Sequence, residues 1–247
     1  MNAAHAIHAA RMSFSFESSS IAVYIARPAV PPRVTVLMLG AIWSVTPHIE
    51  DLCRRLAHAG YGAIAPCLFR GMGIPARDAP ADTLARTFRE FDDRRCIRDL
   101  RAVSRAAIDE RFGFAPGALV PWGFCLGGRF AHYLGAFSEH AAGVINFYGR
   151  LRFERQPIKP FVPADVTDLI EVPYLGQFAE IDALIPLADV EELRAALAAR
   201  GVRHRIDMYA GARHGFVDPE RPGEHHPEAA AKAWVVALEF LQTLAVQ

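Results

Sequence analysis

Six short apolar runs alternate with amphipathic stretches along the 247 residues. Residues 34–39, VTVLML, are continuously apolar but for Thr35 and rich in β-branched side chains. That pattern predicts a central parallel strand buried on both faces. Residues 61–66, 118–122, 143–147, 173–178 and 202–209 read as further strands. Between them lie stretches of helical period. Residues 47–59 place Ile49, Leu52, Leu56 and Ala59 on one stripe and stop at Gly60. Residues 83–111 are helical in character, and Asp92 and Asp93 mark a second start within them. Residues 127–137, 187–200 and 227–244 complete the set. Residues 13–16 and 21–26, around a Ser-rich turn, predict an antiparallel hairpin. Residues 67–80 are a Gly/Pro-rich loop, and 150–171 a polar, Pro-punctuated surface segment that could also serve as a flap.

Each parallel crossover needs a helix to return the chain, so this alternation predicts an α/β fold. The expected architecture is a doubly wound, mostly parallel sheet with the antiparallel hairpin at its edge. No repeat or change of composition divides residues 13–247, which are expected to form a single domain. Residues 1–12, MNAAHAIHAARM, are expected to be a disordered extension, with Met12 as an alternative start. They lack the apolar stretch of a secretory signal, which predicts a cytoplasmic protein.

Charge and cysteine usage narrow the function classes. Lys+Arg and Asp+Glu are both 27, so no basic footprint points to nucleic acid. The longest strand-like apolar run, 34–43, is far below the roughly 18 residues of a membrane span. Cys53, Cys67, Cys96 and Cys125 show no paired spacing, which argues against a disulfide framework. His225 and His226, beside Glu224, read as a solvated loop, and no metal site is expected.

The strongest motif is Gly123-Phe124-Cys125-Leu126-Gly127-Gly128, between a predicted strand and a predicted helix. That is the setting of a nucleophile elbow, a sharp turn that presents a reactive side chain at a helix N-terminus. The helix end favours negative charge and so lowers the thiol pKa. A thiol nucleophile needs a base, and the base an orienting acid. His214, in Gly211-Ala-Arg-His-Gly-Phe216, follows the last predicted strand. Asp182 follows the strand before it, with Glu180 as the rival acid. All three positions fall at the carboxyl edge of the sheet, where open α/β folds bind ligands. The expected oxyanion donors are the backbone N–H groups of Ile42 and Leu126. Trp43, Tyr148 and Phe216 are candidate pocket walls, and Arg86, with Arg89, a candidate contact for an anionic substrate.

With these residues in place, the chain resembles the dienelactone hydrolase family of α/β-hydrolase-fold enzymes. The resemblance rests on the cysteine elbow, Asp182-x-x-x-Pro186 and Gly211-x-x-His-Gly-Phe216, and covers most of residues 20–245. It implies cofactor-free hydrolysis of small esters or lactones by a Cys125–His214–Asp182 triad through a thioacyl intermediate. The implied partner is a small-molecule substrate, and the implied state a monomer or small homo-oligomer. The chain also departs from the family pattern. Ala41 stands where the family carries a Glu that contacts the resting thiol, and Asp218 where it carries a substrate-binding Arg. Cys67 and Phe69 replace an Asp and a Tyr, Ala179 replaces a Gly, and a Tyr is missing before Phe91. These departures leave the triad intact and point away from dienelactone itself as the substrate. Two other functions remain compatible with the motifs: a fold that binds a ligand without hydrolysis, and a peroxidatic thiol at Cys125.

Overall fold

The computed structural model describes residues 6–115 and 117–245. Eight strands form one sheet in the order β1-β2-β4-β3-β5-β6-β7-β8. The strands are β1 Ile7–Phe16, β2 Ser19–Pro28, β3 Val34–Leu39, β4 Gly62–Pro66, β5 Ala118–Phe124, β6 Val144–Phe147, β7 Tyr174–Ile181 and β8 His204–Arg213. The helices are α1 Pro47–His58, α2 Ala81–Glu90, α3 Asp93–Ile108, α4 Leu126–Phe137, α5 Leu187–Ala199 and α6 Pro227–Leu244. The sheet is parallel from β4 through β8, and the β1–β2 hairpin adds to β4 antiparallel.

The order follows from chain direction. From β3 the chain steps one way to β4, then back past β3 to β5 and onward to β8. Right-handed crossovers therefore put α1 on one face and α3, α4 and α5 on the other. α6 joins α1, where Arg55 lies 4.1 Å over the Trp234 ring and Trp122 packs against Trp234. On the opposite face Asp93 of α3 pairs with Arg129 of α4 at 3.0 Å.

The sheet's centre is as apolar as its sequence predicted, with every residue of β3 and β4 buried. Asp92 separates α2 from α3, its side chain accepting from the Arg95 N–H at 3.0 Å as an N-cap. One expectation is corrected. β1 begins at Ile7, and Ile7 to Met12 pair with Pro28 to Val23, so residues 7–12 belong to the sheet rather than to an extension. Residues 1–5 lie outside the described residues. Among the described residues no helix is long and apolar enough to cross a membrane, and no group of three or more His, Cys, Asp or Glu side chains could hold a metal ion.

Candidate active site

β5 runs two residues beyond its predicted end and stops at the elbow. Cys125 takes φ 53° and ψ −112°, a left-handed conformation that strains a residue with a Cβ. Its N–H bonds the Phe147 carbonyl at 3.0 Å, and its carbonyl accepts from the Arg129 N–H at 3.1 Å as α4 begins. Two glycines make the turn possible. A Cβ on Gly123 would lie 2.0 Å from the Gly127 carbonyl oxygen. A Cβ on Gly127 would lie 2.0 Å from the Leu39 oxygen and 2.5 Å from that of Gly40. The elbow thus packs directly on the end of β3, bringing the loop that holds Ile42 to the start of α4. Ser44 pins that loop, its hydroxyl accepting from the Leu68 N–H at 3.0 Å.

His214 and Asp182 come together through the pairing of β7 with β8. Ala179 pairs with Tyr209 and Ile181 with Arg213, so β8 carries two extra residues in this interval. Such a bulge re-aims the side chains that follow it. Gly211, at φ 69°, absorbs the bend and donates its N–H to Glu180 Oε2 at 2.8 Å. Glu180 is therefore engaged elsewhere, and Asp182 meets the histidine. His214 Nδ1 lies 2.7 Å from Asp182 Oδ2, and Asp182 Oδ1 accepts from the Leu184 N–H at 2.8 Å. The carboxylate side chain is 1% exposed. Since it can only accept, Nδ1 carries a proton and Nε2 faces away from the acid. Nε2 is buried without a hydrogen bond of good geometry, yet the ring is close enough to Cys125 for each to shift the other's charge.

Burial alone would raise the Cys125 thiol. The His214 charge, the N–H of Leu126 and the more distant Arg221 outweigh it and bring the pKa below its ordinary value. For His214, burial pulls down, but the Cys125 charge and Asp182 together raise it to about 10. At neutral pH these opposite shifts favour a thiolate–imidazolium pair. Cys53 and Cys96 show the contrast, because burial without such a partner pushes both thiols up.

The pocket residues divide. Tyr148, at φ 39°, sets its ring edge-on to His214 with centroids 5.1 Å apart. The guanidiniums of Arg77 and Arg221 lie 4.5 and 5.3 Å from the Trp43 ring centroid. Phe216 is completely buried against Tyr148 and Tyr209, so it backs the wall and does not line it. Arg86 stands exposed on α2 and makes no hydrogen bond or ion pair among the described residues. The guanidiniums whose fields reach the site are Arg221, felt by Cys125, and Arg150, which feels both Cys125 and Asp182. Burial and the charge of Arg129 lower the Arg150 pKa. Neither arginine carried a sequence signal, because both lie in irregular loops where no period shows which way a side chain faces.

A polar network outside the triad fixes the turn that follows β6. Asn146 Oδ1 accepts from the Gly149 N–H at 2.8 Å, and Asn146 Nδ2 donates to the Tyr174 hydroxyl at 2.8 Å. That hydroxyl lies 3.0 Å from His132 Nδ1, and His132 Nε2 lies 3.0 Å from the Pro163 carbonyl. The carbonyl must accept, so Nε2 carries the proton, and burial keeps the ring neutral with a pKa lowered to about 4.

A strained elbow opening a helix, with an acid and a histidine after the last two strands of a doubly wound sheet, defines an α/β-hydrolase-fold protein. The comparisons narrow the class. The dienelactone hydrolase family model matches residues 21–245. A Salmonella typhi protein named "Putative carboxymethylenebutenolidase" is 34% identical over 239 residues, covering 95% of this chain and 87% of its own. The carboxymethylenebutenolidase of Rhodococcus opacus is 31% identical over 214 residues, covering 84% and 80%. A crystal structure titled as a "Putative Dienelactone Hydrolase" from Klebsiella pneumoniae matches with a TM-score of 0.87 at 31% identity, over 98% of this chain and all of that one. The chain belongs to the dienelactone hydrolase family.

Proposed function

We propose that the protein hydrolyses small esters or lactones with Cys125 as nucleophile, His214 as base and Asp182 as the group that orients it. The observation that carries this reading is the 2.7 Å His214–Asp182 contact beneath a strained cysteine elbow. The thiolate attacks the carbonyl carbon, and the oxyanion sits between the N–H groups of Ile42 and Leu126. As the C–O bond breaks, His214 hands its proton to the departing alkoxide and a thioester remains on Cys125. Water then gives a proton to His214 and attacks that thioester. The acid leaves and Cys125 returns to its resting state. Asp182 holds the ring in the tautomer that both steps need. Trp43 and Tyr148 flank the reacting carbonyl. Relatives named carboxymethylenebutenolidase support a lactone among the natural substrates.

The test is capture of the thioacyl enzyme. Acid quench early in turnover of a p-nitrophenyl ester is expected to add one acyl mass to the Cys125 peptide. An acyl group on a different residue, or none during active turnover, overturns the assignment.

A further inference from the structure

α2 is an amphipathic helix that buries none of its residues completely. The segment that leads into it carries Gly71, Gly73, Pro75 and Pro80. Neither Gly71 nor Gly73 has any atom within 4 Å of the place a Cβ would occupy. Besides the Arg95 Nη2 contact to Met72 Sδ at 2.8 Å, two ties hold residues 71–90 down. At the first, Trp43 Nε1 donates to the Ala76 carbonyl at 3.1 Å. Arg77 lies over the Trp43 ring and pairs with Asp218 at 2.9 Å and Glu220 at 3.2 Å. Trp43 sits on the loop of Ile42, and Asp218 and Glu220 on the loop that follows His214.

The second tie is Phe88. Its ring meets Phe153 edge-on at 5.6 Å and faces the charges of Arg129 at 4.7 Å, Lys159 at 5.7 Å and Arg150 at 5.8 Å. Lys159 Nζ also donates to the Arg89 carbonyl at 2.7 Å, holding the helix C-terminus. Arg129 stands one turn of α4 beyond Cys125, and Arg150 follows the strand end beside the elbow. The Nε and Nη1 atoms of Arg129 and the Nε of Arg150 are buried without hydrogen-bond partners. The two guanidiniums are thus turned to aromatic faces, a cation–π arrangement strengthened by burial. One tie engages the loops of Ile42 and His214, and the other engages the elbow helix and the end of β6. The segment spans the carboxyl edge of the sheet between them.

We propose that residues 71–90 form a strap across the catalytic cleft, and that Phe88 is its latch and a determinant of which acyl groups reach Cys125. The acyl part of this proposal rests on the reading of Cys125 as nucleophile. Phe88 holds the strap closed against the buried Arg129 and Lys159, whereas the Arg77 ion pairs are partly solvated and the weaker tie. Small esters enter with the strap down, and larger acyl groups require its release.

Two readouts on the full chain test this. The first is the rate of Cys125 alkylation by iodoacetamide and by a bulky fluorescein maleimide, followed on the Cys125 peptide by mass. The second is the ratio of p-nitrophenyl octanoate to acetate hydrolysis. Phe88→Ala is expected to raise the maleimide rate and the octanoate ratio about tenfold with iodoacetamide changed less than about twofold, as loss of a desolvated cation–π contact implies. Phe88→Tyr keeps the ring and is expected to match wild type. Arg77→Ala moves both readouts the same way by a smaller factor, and serves alone if Phe88→Ala does not fold. Unchanged readouts, or an equal rise for both alkylating reagents, overturn the strap. Labelling needs no turnover. A wild type that labels selectively but hydrolyses nothing therefore removes the proposed reaction and leaves the strap standing.

Discussion

At the scale of the residue, the site is built on charge held in a buried place. Cys125 and His214 shift one another in opposite directions, and Asp182 secures the imidazolium from the far side. Alkylation follows the thiolate, so a lowered pKa extends reactivity to lower pH. The pH profile of Cys125 alkylation by iodoacetamide is expected to have its midpoint below the roughly 8.5 of a free thiol. Asp182→Asn removes the charge that stabilises the imidazolium, and the midpoint should climb back toward the free value. A wild-type midpoint at or above the free value would remove the ion pair. Cys125, Asp182 and His214 were legible in the sequence because each sits at a strand end with a recognisable neighbour motif. The choice of Asp182 over Glu180 was not fixed by spacing; in the structure Asp182 meets His214, while Glu180 accepts from the Gly211 N–H. For Arg86 the helix period shows a polar face but not whether that face meets a cleft.

At the scale of the element, close backbone approach at the elbow sets the site's geometry. Gly127 touches the carbonyls of Leu39 and Gly40, leaving no room for a methyl group. Gly127→Ala must push α4 away from the loop of Ile42, and overpacking of this kind costs about 1–3 kcal/mol. The expected result is a lower Tm, measured by thermal unfolding, together with a fall in kcat larger than that loss of stability explains. A variant with wild-type kcat and Tm would show that the close approach is unimportant. Most helices and central strands could be read from the sequence, because full burial leaves a run or a stripe. α6 matches its predicted span, with Pro227 at its first turn and an apolar stripe through Leu244. The extension of β8 through Ala210-Gly211-Ala212 was not legible, since small residues carry no alternation and the bulge is set by its partner strand.

At the scale of the whole molecule, the sheet reaches further toward the N-terminus than composition suggests. β1 lies at the edge with most of its early positions exposed, so residues 7–12 lack the apolar alternation that marks a half-buried strand. They still cover β2 from Val23 to Pro28, and Arg11 pairs with Glu50 of α1 at 2.7 Å. A chain beginning at Met12 would leave β2 from Tyr24 to Pro28 as an unpaired edge. Its Tm is expected to fall and its tendency to associate, followed by light scattering, to rise. Equal behaviour of the short and full chains would make the early strand dispensable. Cys125 as nucleophile at the assembled edge of the sheet is tested most directly by the pre-steady-state time course of p-nitrophenyl acetate hydrolysis in wild type and Cys125→Ala. A p-nitrophenol burst of one equivalent per active site is expected in wild type and none in the variant. A burst that survives in Cys125→Ala would contradict a cysteine nucleophile.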